Sequence, residues 1–145
     1  MRVVIQRVKS ASLKVDDELI SEIGNGLLVL CGIEKGEDES KIPCVAEKIA
    51  NLRIFERDDK MDLSVLDVAG EILLVSNFTL CTDRTKAKGN RPYFGDAENP
   101  ERANELYLKL RDELNKFVPT KTGVFGADMQ TDAHLDGPVT IYKEF

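Results

Sequence analysis

The sequence predicts an α+β fold in which strands come in runs and two helices are set between them. Three observations carry this. Apolar, β-branched segments follow one another at Val3–Val15, Glu18–Ile23 and Leu27–Ile33 before any helical period begins. Apolar residues recur at helical spacing in two stretches, Ile42–Ala50 and Ala103–Phe117. Strands do not alternate regularly with helices, which a doubly wound parallel sheet would require.

Each element has a local reason. Asp16-Asp17 and Gly24-Asn25-Gly26 are turn signals that divide the opening into a meander of three strands, the last of them a continuous apolar run suited to a buried central position. Pro43 fits only the first turn of a helix, so the first helix starts near Ser40. Leu52–Phe55 reads as extended, Arg57–Asp62 as a charged turn, and Ile72–Ser76 as another buried strand. Residues 82–98 have no period and contain Gly89, Pro92 and Gly95, which predicts a long loop; such loops in compact domains are usually functional or disordered. Asn99 is suited to cap the second helix with Pro100 at its first position, and Pro119 stops it. Thr122–Met129 and Val139–Phe145 are expected to be the last strands.

The chain of 145 residues is one domain's worth, 1–145, with no internal repeat or linker. It can bury roughly 70% of its unfolded surface. No segment is apolar for long enough to form a membrane helix, and Gln6, Arg7 and Lys9 break up what could otherwise resemble a signal peptide. Cys31, Cys44 and Cys81 are odd in number and widely spaced, which disfavours a disulfide framework or a zinc site and fits a reduced, cytoplasmic protein. The net charge of −6 argues against a broad nucleic-acid footprint, yet residues 83–91 carry a local +3. That stretch is either a solvated surface or a small basic mouth for one end of an RNA.

No nucleophile elbow, P-loop or dinucleotide fingerprint is present. The only histidine, His134, sits in a polar segment and reads as an exposed loop residue. A hydrolase built on this chain would therefore work without a histidine base. Main-chain N–H groups aimed at a developing oxyanion could supply on the order of 3 kcal/mol per donor.

Two short segments stand out: Ser76-Asn77-Phe78-Thr79-Leu80, followed by Thr82-Asp83-Arg84 and the loop to Arg91-Pro92, and Gly137-Pro138-Val139-Thr140. With Met1–Lys9, Gly24–Gly36 and Thr122–Met129, in this order and spacing, they resemble the D-aminoacyl-tRNA deacylase family essentially end to end. The resemblance implies a three-layer β/β/α fold, and hydrolysis of the ester that joins a D-amino acid to tRNA, with neither metal nor cofactor. It also implies a homodimer in which a cis Gly137-Pro138 segment enters the partner's active site. The substrate partner is then the aminoacyl-tRNA acceptor end.

The resemblance also assigns roles. Main-chain N–H groups near Phe78 and Thr79 would face the ester, beside Ser76 and Asn77. Phe78 and Phe125, with Met129, would wall the pocket. Arg7 would hold the Gly137-Pro138 corner, whose carbonyls would accept the α-amino group and leave no room for an L side chain. Glycine, having no side chain, would also pass. Thr79 is the hydroxyl candidate; a nucleophilic threonine needs an adjacent base, and none is evident, so positioning with help from the substrate's 2′-OH is preferred. Asn77 departs from the family's usual glutamine and is one methylene shorter. Read without the resemblance, Gly137-Pro138 is an ordinary turn, Arg7 a surface arginine and Thr79 a strand residue.

Overall fold

The computed structural model describes residues 1–83 and 85–145; Arg84, part of the basic stretch, lies outside the described residues. Its strands are β1 (Arg2–Val15), β2 (Glu18–Ile23), β3 (Gly26–Gly32), β4 (Phe55–Arg57), β5 (Lys60–Leu63), β6 (Glu71–Ser76), β7 (Thr120–Thr122) and β8 (Gln130–Glu144), with helices α1 (Ile42–Ala50) and α2 (Pro100–Leu114).

β1 organises the sheet. β8 pairs with it antiparallel from Arg2 to Lys14, while β3 and then β2 share its other edge, also antiparallel. β3 therefore bonds to β1 and not to β2, because a 14-residue strand is long enough for both neighbours. β6 joins β3 in parallel, and β7 joins β6 in parallel. The result is a mixed sheet, nearly closed into a barrel, with two helices.

The layers follow from which residues share a side. Val3, Ile5, Leu27, Val29, Ile72 and Leu74 pack with Val45 and Ile49 of α1 and with Leu106 and Leu110 of α2. Val8, Ala11, Leu13, Leu28, Leu73 and Val75 form a second cluster on the other face. Along β1 the inward side changes between Ile5 and Ala11, where the pairing with β8 shifts register. The far half of β1, with β2 and the start of β8, thus folds over the central strands, giving helices, sheet and second sheet layer. Each fully buried leucine of α2 contributes about 1.5–3 kcal/mol by leaving water.

Both helices begin as the sequence suggests. Asp38 accepts from the Ser40 amide at 2.9 Å and caps a 3-10 turn that runs into α1. Asn99 accepts from the Arg102 amide at 3.0 Å, with Pro100 in the first turn of α2. Phe117, expected on the apolar stripe, lies beyond the helix end and is 40% exposed. None of the described helices is long and apolar enough to cross a membrane.

Three expectations about the chain's course are corrected. Arg57–Asp62 is not a simple turn: Asp58 and Asp59, both at positive φ, close a hairpin between β4 and β5. Residues 123–129 form no strand; Ala127 N donates to Val124 O at 3.2 Å in a turn, with Gly126 at φ +77°. His134 is not in a loop but within β8, paired with Ser10, although it is exposed as expected.

Candidate active site

β3 and β6 run parallel, and a cavity of about 650 Å³ opens at their carboxyl ends. Leu30 and Cys31 of β3 and Val75 and Ser76 of β6 form its floor, and Asn77 and Phe78 form one side. Phe125, Gly126, Ala127 and Met129 form the opposite side, and Ala103 and Tyr107 of α2 form the back. This is a largely apolar vessel with a few polar groups, the usual composition of a small-ligand site.

The turn after β6 is held by its own side chain. Phe78–Cys81 is a 3-10 turn whose N-cap is Asn77. The Asn77 carboxamide oxygen accepts from the Thr79 amide at 3.2 Å and from the Thr79 hydroxyl at 2.5 Å. The shorter side chain thus turns back onto the turn. Thr79 is exposed and stands beside the cavity but does not line it. Gly32 permits this packing, since a Cβ there would meet Asn77 O at 2.9 Å and Cys81 Sγ at 2.9 Å.

Arg2 pins the far end of the turn. Its Nη1 donates to Leu80 O at 3.1 Å and Thr82 O at 2.8 Å, and its Nη2 lies 3.0 Å from Glu34 Oε1. Glu34 in turn bridges to Ala97, so both stems of the 82–98 loop meet this pair. The loop is fastened further by Lys35 N to Asp96 O at 2.9 Å and Asp83 N to Tyr93 O at 3.1 Å. Phe94 packs edge-on against Phe78, ring centroids 5.3 Å apart, although Phe78 remains 61% exposed. Among the basic residues of the loop, Lys86 is engaged by Asp83 and Asp96.

The cavity offers little general-base chemistry. Glu98 lines it, but the amides of Asn99 and Gly36 donate to its carboxylate and hold it below the usual range. Burial pushes the Cys31 thiol up to about 12, so no thiolate is present at neutral pH. Tyr107 donates to Leu74 O at 2.7 Å, and burial raises its phenol as well. Among the described residues no His, Cys, Asp and Glu side chains gather into a metal-binding group. His134 borders a separate shallow groove with Ser10, Ser12, Glu22 and Asp132.

A second constellation surrounds Gly137-Pro138, whose peptide bond is cis. Arg7 is only 4% exposed. Its Nη1 donates to Ile54 O at 2.7 Å, and its Nε donates to Asp136 O at 3.2 Å. Gly137 has φ +122°, a left-handed value that favours glycine, and a Cβ there would lie 3.3 Å from Arg7 Nη2. The structure therefore gathers Ser76, Asn77, Phe78, Phe125 and Met129 around one cavity, with Thr79 adjoining. Arg7, Gly137 and Pro138 form a separate group and do not line that cavity. Arg2, Glu34, Phe94 and Tyr107 were not singled out in the sequence; Tyr107 was visible there only as one member of an apolar stripe.

The sequence model of the D-Tyr-tRNA(Tyr) deacylase family matches residues 4–144, nearly the whole chain. This chain belongs to that family. The D-aminoacyl-tRNA deacylase of Pelobacter propionicus is 51% identical to it over 146 residues, covering 99% of this chain and 99% of the relative. Another deacylase, that of Nautilia profundicola, is 46% identical over 144 residues, again 99% of each. Among solved structures, a protein named c-Myc DNA Unwinding Element Binding Protein superposes with a TM-score of 0.91 at 41% identity, covering 100% of this chain and 99% of its own. A structure described as that of a probable eukaryotic D-amino acid tRNA deacylase superposes at TM-score 0.81, covering 98% and 97%. At 17% identity that second likeness concerns the fold alone.

Proposed function

We propose that this chain hydrolyses the ester of D-aminoacyl-tRNA in the cytoplasm, as a homodimer, rejecting L-amino acids by main-chain exclusion and accepting glycyl-tRNA. The observation that carries the reading is the cavity at the ends of β3 and β6, bordered by Ser76, Asn77, Phe78, Phe125 and Met129, in a chain of the deacylase family.

The dimer is supported by β8. Among the described residues this 15-residue strand pairs only with β1, so its outer edge offers unpaired main-chain groups. Leu135 and Tyr142 on it are 41% and 51% exposed. Gly137 and Pro138 are exposed on the same strand and away from their own cavity, as a corner that serves a second copy would be. In the partner's cavity the corner carbonyls would accept the substrate's α-ammonium and occupy the space an L side chain needs. A D side chain would point outward, and its identity would go largely unread.

The chemistry rests on positioning. The Thr79 hydroxyl donates its proton to a carboxamide oxygen, which is too weak a base to remove it. Its lone pairs are left to orient a substrate group. The Thr79 amide is already donated to Asn77, so the Phe78 main-chain N–H is the one that would face the developing oxyanion, and the 2′-OH of the terminal ribose assists water. An activated ester demands little more than this.

Incubating the protein with D-Tyr-tRNA and L-Tyr-tRNA tests the reading. Hydrolysis of the D ester at least about tenfold faster, equivalent to about 1.4 kcal/mol, is expected. Equal rates would remove the exclusion argument, and full protection of glycyl-tRNA would mean that the pocket reads a D side chain directly.

A second reading is a nucleic-acid-binding module without catalysis. It is favoured by the name of the 41%-identical structure and by the local basic stretch at residues 83–91. The net charge of −6 weighs against it. It predicts binding of ester-free nucleic acid with a steep salt slope.

A further inference from the structure

We infer that Asp136 is a positioning residue that sets the Gly137-Pro138 corner through Arg7 and thereby governs rejection of L-aminoacyl esters; this rests on the reading above that the corner is the chirality gate. The need for such a residue comes from the pairing of β1 with β8. Gln6 is opposite Thr140, but the next pair is Val8 with Leu135. Asp136, Gly137, Pro138 and Val139 therefore face Arg7 alone. A segment looped out of a ladder has no regular hydrogen bonds to fix it, so side chains must do so.

Arg7 is the strut between this segment and the rest of the fold. On one side its Nη1 is anchored to Ile54 O at 2.7 Å, at the base of the β4–β5 hairpin. On the other side its Nε donates to the main-chain oxygen of Asp136 at 3.2 Å, and the Asp136 carboxylate Oδ2 lies 3.1 Å from the same nitrogen as its ion-pair partner. Lys9 Nζ lies 3.5 Å from the same Oδ2.

A nearly buried guanidinium needs a counter-charge. Glu56 lies 3.5 Å from Nη2, but its side chain is 61% exposed, so solvent screens the pair. The Asp136 side chain is 26% exposed, lies closer at 3.1 Å, and belongs to the residue whose main-chain oxygen accepts from Nε. Asp136 is thus the group that fixes the tilt of the guanidinium. A Cβ added to Gly137 would lie 3.3 Å from Nη2, so the guanidinium stands beside the corner, to which it is joined through the Asp136 main-chain oxygen. A tilt of the one moves the other.

The test compares Asp136→Ala and Asp136→Asn with the wild type on D-Tyr-tRNA, L-Tyr-tRNA and glycyl-tRNA. Thermal unfolding and dimer mass are measured alongside. Asp136→Ala is expected to lower the D-over-L ratio of kcat/KM by about tenfold, mainly by raising the L rate. Glycyl-tRNA presents its α-ammonium but no side chain to the corner, so its hydrolysis is expected to change by the same factor as that of D-Tyr-tRNA while L-Tyr-tRNA gains relative to both; general damage to the fold would lower all three substrates together. Asp136→Asn, which keeps the shape and an acceptor but not the charge, is expected to lower the ratio in the same direction by a smaller factor. A folded Asp136→Ala with an unchanged ratio overturns the proposal. Should that variant not fold, an unchanged ratio in Asp136→Asn overturns it equally. A wild type that does not distinguish the enantiomers removes the parent reading instead, which separates the two failures.

Discussion

Removing the Tyr107 hydroxyl gives a direct measure of how the cavity's back wall is held. The phenol donates to Leu74 O at 2.7 Å, and the residue is 2% exposed. A buried carbonyl left without a donor would cost about 1–3 kcal/mol. Leu74 O is not left so, because Gly123 N also donates to it at 3.3 Å. The ring of Tyr107→Phe keeps its contact with Phe125, at 5.9 Å between centroids, so no cavity opens. The loss is then the net value of one hydrogen bond, about 1 kcal/mol. For a chain of 145 residues this lowers Tm by roughly 3 °C. Equilibrium urea unfolding reads the same figure as a shift of midpoint at constant slope. Because the hydroxyl points into the backbone of β6 and not at the substrate, kcat is expected to stay within about threefold of wild type. A loss above about 3 kcal/mol would mean that Leu74 O is orphaned after all. A collapse of kcat in a stable Tyr107→Phe would mean that the phenol takes part in the chemistry.

Four further outcomes are expected. Thr79→Ala retains at least about a tenth of kcat on D-Tyr-tRNA, whereas a terminal 2′-deoxyadenosine costs on the order of a hundredfold; the reverse order would make Thr79 the reacting group. Asn77→Ala removes the cap of the 3-10 turn and costs about 1 kcal/mol in a urea titration, and an unchanged midpoint would show that the cap carries no weight. Native protein reacts with a thiol reagent at the exposed Cys44 and slowly at buried Cys31 and Cys81, so simultaneous labelling of all three thiols in the native state contradicts the burial. The Thr85 hydroxyl and amide, with Lys86, hold the Asp83 carboxyl down to about 2. Its folded value lies below the unfolded one of about 3.9, so its contribution to ordering the loop is complete above that value and lost as pH falls toward about 2; a carbon NMR titration giving an unshifted midpoint refutes this.

The strands and helices were legible where one local signal sufficed. The apolar run Leu27–Ile33, the Asn99-Pro100 helix start and the aperiodic 82–98 stretch each appear where the residues place them. Signals that pointed two ways misled. Pro138 and Gly137 look like a turn, and the sequence alone starts the last strand at Val139, whereas the strand runs from Gln130 to Glu144. The proline is accommodated because the ladder shifts register there, and no residue-level propensity encodes such a shift. The β4–β5 hairpin was hidden because Glu56, Arg57, Lys60 and Asp62 mask the alternation that marks strands. The site was legible only as an ordered set of short segments. Ser76–Thr79 alone carries no chemistry that a turn would not also show. The clasp of Arg2 on Leu80 and Thr82 joins residues about eighty positions apart, a relation that no local pattern can reveal.

The cavity floor consists of the ends of two parallel strands, while its sides are Asn77-Phe78 and the 123–129 turn, with Ala97 and Glu98 of the long loop also lining it. Floor and turn therefore draw on different parts of the chain. Substitutions in the turn can reshape what fits inside while the central strands keep their packing. A library at Val124, Ala127 and Asp128, which leaves the core-packed Phe125 and Met129 and the positive-φ Gly126 in place, would alter this wall at small cost to foldability.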